Sequence, residues 1–85
     1  KVEESVLNEA FKIFPNPNSS GELNIESLNE FDEIQITNLS GQMVQNLSID
    51  SSLKSIIKID LKGGLYFLQL KNKGKPQGIQ KLIVQ

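Results

Sequence analysis

Clusters of turn-forming residues divide this 85-residue chain into apolar runs too short for packed helices and about the right length for strands. The clusters are Pro15-Asn16-Pro17, Gly21, Asn38-Leu39-Ser40-Gly41, Gly63-Gly64, and Asn72-Lys73-Gly74-Lys75-Pro76. Pro15 ends the run 11–14 because it offers no N–H and holds Phe14 extended, and Pro17 does the same to Asn16. The pair forms a stiff corner that leads into a flexible turn over residues 18–21.

From Glu22 the apolar residues recur at every second position. Leu23 and Ile25 alternate with Asn24 and Glu26, and Ile34 and Ile36 alternate with Glu33, Gln35 and Thr37, as in strands with one face on a core and one in water. Asn38 and Gly41 suit the positive φ of a tight hairpin. In the next run Met43, Leu47 and Ile49 share a parity and Val44 falls out of step, the pattern of a β-bulge. Ile57, Ile59 and Leu61 make a fifth run, residues 65–70 a sixth and residues 77–84 a seventh. Seven short strands and no convincing helix predict an all-β domain, a seven-stranded antiparallel immunoglobulin-like β-sandwich, with a small barrel as the main rival. Residues 1–10 are charged and lack a turn signal, so they are expected to be a linker to a preceding domain, with the folded domain over 11–85. The chain starts with Lys1 rather than Met, as a piece of a longer polypeptide would, and an export signal of the parent would then not be visible in it.

Composition excludes more chemistry than it supports. With no His and no Cys, a zinc site would need carboxylates alone and the usual catalytic triads lack a base or a nucleophile. No enzyme activity, no cofactor and no metal site are expected. A net charge of −1 provides no basic field for nucleic acid. All 9 basic residues are Lys, a bias read as codon composition rather than function. Glu30, Asp32 and Glu33 lack the alternating ligand spacing of a calcium loop and fit a solvated segment better. Asp60 fits a turn acceptor, and Gly63-Gly64 has no following helix to cradle a phosphate. Asn18, Asn38 and Asn46 each open an N-x-S pattern, expected by chance in a chain rich in Asn and Ser. There is no Trp, and Tyr66 lies in a run where its ring is expected in the core rather than on a sugar-binding platform.

The last two runs depart from the half-polar pattern. Tyr66, Leu68 and Leu70 share one parity while Leu65 and Phe67 share the other, and Leu82 and Val84 lie opposite Ile79 and Ile83. Either this hairpin is covered on both sides, or it offers an apolar strip to a partner. Lys81, among apolar residues, is what a protected edge strand carries and also what a recognition strand could carry.

Taken in order, Phe14-Pro15-Asn16-Pro17, Gly21, Asn38-Leu39-Ser40-Gly41, Ile59-Asp60-Leu61, Gly64-Leu65-Tyr66 and Lys81-Leu82-Ile83-Val84 resemble the type A C-terminal sorting domain of the type IX secretion system. The resemblance runs from about Phe11 to Gln85. No single motif is specific, and the order and spacing carry the match. It implies an immunoglobulin-like fold and a function as an address label on secreted or surface proteins of the Bacteroidota. Such proteins pass through the periplasm, are recognised by an outer-membrane shuttle and translocon, and lose the domain to a sortase-like protease.

On that resemblance Pro15, Asn16, Pro17, Gly21, Gly41, Gly64 and Tyr66 are fold-making motif residues. Leu65, Phe67, Ile79, Lys81, Leu82, Ile83 and Val84 are the candidates for translocon recognition, and a weak dimer through the last strand is a further expectation. A carbohydrate-binding or adhesive module is the alternative, and it predicts an exposed aromatic platform.

Overall fold

A computed structural model of the chain describes residues 11–85. The linker expected over 1–10 lies outside the described residues. Five strands follow in order: β1 (Phe11–Phe14), β2 (Glu22–Asn38), β3 (Met43–Lys58), β4 (Gly64–Asn72) and β5 (Lys75–Val84). All pairings between them are antiparallel, in the order β1-β2-β4-β5, with β3 on the other edge of β2. The fold is all-β, and no helix occurs among the described residues.

The strand count is therefore five rather than seven. The second and third expected strands are one element, β2, of 17 residues, and most of the fourth and fifth are one element, β3, of 16. The separation looked real because the buried positions change parity. Leu23, Ile25 and Phe31 are buried on odd positions and Ile34 and Ile36 on even ones, with register shifts between Glu26 and Phe31 and between Phe31 and Glu33. An extra residue in a ladder bends the strand without ending it. The first half of β2 pairs with β1 and with the second half of β3, and its second half pairs with β4 and with the first half of β3.

The bend curls the sheet until its halves share one core. Phe11, Ile13, Leu23, Ile25 and Ile57 from one half meet Ile34, Ile36, Leu68, Leu70 and Leu82 from the other in a single cluster. Burying each such side chain contributes roughly 1.5–3 kcal/mol. The curl stops short of a barrel, since β1 and β5 end the pairing order without a ladder between them. Glutamine side chains make the links instead, one from β5 to β1 and one between the two ends of β3. Gln80 donates through Nε2 to the Phe11 carbonyl, and Gln45 donates through Nε2 to the Lys58 carbonyl at 2.8 Å. Among the described residues no buried side-chain nitrogen or oxygen lacks a partner.

The turns follow their residues. Gly41 has φ +87°, the Asn38 carbonyl accepts from Gly41 N at 3.0 Å, and the Asn38 side-chain oxygen accepts from Ser40 N and Gln42 N. Val44 is the residue left over in the ladder, because Thr37 pairs with Met43 while Ile36 pairs with Gln45. Lys73 and Gly74, both at positive φ, form the two-residue turn between β4 and β5.

Candidate functional site

The β4–β5 hairpin sorts its apolar residues by side. In register, Leu65 faces Ile83, Phe67 faces Lys81 and Gln69 faces Ile79 on the outer surface, while Tyr66 faces Leu82 and Leu68 faces Gln80 on the inner one. Leu82 and Val84, expected among the recognition residues, belong to the core cluster, with Leu82 at 0 % exposure. A strand points alternate side chains to opposite faces, so neither is available to a partner of the folded domain. Ile79 and Ile83 are exposed at 55 % and 43 %, Lys81 is exposed, and Leu65 and Phe67 are half-buried. The outer surface is thus an apolar strip with one lysine near its middle.

Beside it runs a groove of about 850 Å³ between β1 and β5. Phe14, Phe67, Ile79 and Lys81 are among its lining residues. It exists because the curled sheet leaves β1 and β5 unladdered, with the Gln80 side chain reaching across to the Phe11 carbonyl.

The opening motif lies against the outer edge of β5. Asn16 Nδ2 donates to the Lys81 carbonyl and Ile83 N–H donates to Asn16 Oδ1, both at 2.9 Å. Asn18 N–H donates to the Ile83 carbonyl at 2.7 Å, and Gln85 N–H donates to the Asn18 carbonyl at 2.8 Å. The edge expected to be available to a second copy is covered from Lys81 to Gln85. Pro15 and Pro17 flank Asn16, and the peptide bonds preceding both are cis.

Asn18, outside the expected motif residues, is the buried polar residue that organises the corner, at 1 % exposure. Its Nδ2 donates to the Glu22 carbonyl at 2.7 Å and to the Pro15 carbonyl at 3.3 Å, and its Oδ1 accepts from Gly21 N at 3.0 Å. The Asn-x-x-Gly spacing of 18 and 21 was the available signal, since Asn side chains hydrogen-bond backbone groups a few residues ahead. Gly21 has φ +83°, and its carbonyl accepts from Ile59 N at 2.8 Å.

Tyr66 is in the core at 9 % exposure, and its hydroxyl donates to the Lys62 carbonyl at 2.7 Å, closing the loop that leads into β4. Its ring therefore offers no platform for a sugar. Gly64 lies beside that ring, a Cβ there meeting Tyr66 Cε1 at 3.8 Å. The three carboxylates considered for calcium are engaged apart: Asp32 accepts from Lys73 N at 3.2 Å, Glu33 from Gln35 Nε2 at 3.0 Å and Glu30 from Ser51 Oγ at 3.1 Å. Among the described residues no three acidic side chains gather as metal ligands.

No curated protein matches the chain. The family model of the secretion system C-terminal sorting domain matches residues 12–85, which includes the corner, all of β2 to β5 and most of β1. That match covers nearly every described residue, and the chain belongs to the family of type IX secretion C-terminal sorting domains.

Proposed function

We propose that this domain carries a cargo protein, joined on its N-terminal side, through the periplasm and across the outer membrane, and that the outer surface of the β4–β5 hairpin is what the shuttle and translocon bind. The observation that carries the reading is the match to the sorting-domain family. The surface is chosen because Leu65, Phe67, Ile79 and Ile83 remain outside the core around Lys81, beside an apolar groove. A contiguous exposed apolar strip on a small domain marks an interaction site. After delivery a sortase-like protease removes the domain by cutting on the N-terminal side of Phe11. The immunoglobulin-like sandwich of such domains is supported by β2 and β3 each contributing to both halves of one core.

The test uses a secreted reporter fused ahead of this chain in a type IX host. The unaltered chain is expected to deliver the reporter to the cell surface, and Ile79→Asp and Ile83→Asp are expected to leave it in the periplasm with the denaturation midpoint unchanged. Undiminished delivery by both folded variants overturns the recognition surface. Failure of the unaltered chain to deliver overturns the sorting reading itself.

A further inference from the structure

β5 ends the pairing order, so one of its edges has no strand beside it. An open edge presents N–H and C=O groups at alternate residues and is a template for another chain. The two halves of this edge are handled differently. The first half contains Pro76 and a register shift opposite Leu70 and Lys71, both of which interrupt pairing. The second half is regular, and there the Asn16–Asn18 segment lies across it.

That segment satisfies Lys81 O, Ile83 N, Ile83 O and Gln85 N. Half of the work is done by a side chain. A carboxamide has the donor and acceptor of a peptide group, and Asn16 presents both to β5 where a neighbouring strand would present its backbone. Pro15 and Pro17 have no N–H, so the segment cannot carry the ladder on to a further strand. It terminates the sheet.

We propose that the Asn16–Asn18 segment is a strap that prevents β5 from pairing with β5 of a second copy of this chain. An antiparallel pair centred on Ile83 uses the same four groups on each copy: the two Ile83 residues exchange both bonds, and Lys81 O accepts from Gln85 N of the other chain. This register sets Ile83, 43 % exposed, against its counterpart and places each Lys81 opposite a Gln85. A register centred on Lys81 would oppose two ammonium groups and is disfavoured. The pairing is isologous and stops at two chains.

The chain has no cysteine, so a single Ile83→Cys reports the register. Opposed residues of a hydrogen-bonded antiparallel pair have Cα atoms about 5.5 Å apart, within reach of a disulfide. In sedimentation and light scattering the unaltered chain is expected to stay monomeric. Asn16→Ala is expected to tighten self-association by on the order of ten- to a hundredfold, the loss of two hydrogen bonds from the competing strap. On mild oxidation the Asn16→Ala, Ile83→Cys double variant is expected to give a disulfide-linked dimer much faster than Ile83→Cys alone. Should Asn16→Ala lose the β-sheet circular dichroism, Asn16→Asp, which retains the acceptor for Ile83 N–H, replaces it. A folded strap variant that stays monomeric, assembles beyond two chains, or crosslinks no faster than Ile83→Cys alone overturns the proposal.

Discussion

Asn18 and Val84 form an isolated parallel β-bridge that joins the corner after β1 to the end of β5. Through it, landmarks far apart in sequence are in contact. Gly21, held by the Asn18 side chain, bonds Ile59, and a Cβ on Gly63 would meet the Val84 carbonyl at 3.4 Å. Residues 15–21, 59–63 and 81–85 therefore act as one corner of the fold.

Asn18 is the most demanding residue of that corner. Asn18→Ala leaves the Gly21 N–H and the Glu22 carbonyl without their buried partner and is expected to lower stability by about 2–4 kcal/mol. Urea denaturation followed by circular dichroism measures it, and an unchanged midpoint would show that water replaces the amide.

At Gly41 the constraint is conformational alone. Its φ is +87° and a Cβ would find nothing within 4 Å, so Gly41→Ala is expected to lose about 1 kcal/mol and Gly41→Asn less, because Asn tolerates the left-handed region. Equal losses from the two substitutions would count against that cause.

Tyr66→Phe removes the hydroxyl bonded to the Lys62 carbonyl and keeps the buried ring. The expected cost is about 1 kcal/mol, a melting temperature lower by about 4–8 °C, with reporter delivery retained at growth temperature. Delivery lost by a variant that remains folded would give the hydroxyl a part in recognition.

Adjacent residues of β5 should separate fold from recognition. Leu82→Ala, at a fully buried position, is expected to cost about 2–5 kcal/mol, whereas Ile83→Ala on the outer surface should change stability by about 0.5 kcal/mol or less. Similar losses at both positions would mean that the outer surface is packed as well.

Much of the local structure was legible. The Asn38–Gly41 hairpin, the Val44 bulge, the Lys73-Gly74 turn and the core position of Tyr66 each follow from residue types whose backbone or packing preference acts within a few positions. The division into seven strands was not, because a change of parity between Phe31 and Ile34 looks the same whether the chain turns or only bends. Which side of β5 is inside was likewise undecided, since both parities are apolar; Leu68, Leu70 and the opposite half of the sheet claim Leu82 and leave Ile83 out.

From residue order alone came the all-β class, the exclusion of histidine- and cysteine-based chemistry, and the resemblance to sorting domains, because these depend on composition and on short-range preferences. Tertiary structure alone decided that Asn16 and Asn18 close the edge of β5, that glutamine side chains link β5 to β1 and the two ends of β3, and that the outer strip is Leu65, Phe67, Ile79, Lys81 and Ile83. The hydrogen bond from Ile83 to Asn16 joins residues 67 positions apart. Such a contact exists only once the sheet has curled, and no local preference of either residue encodes it.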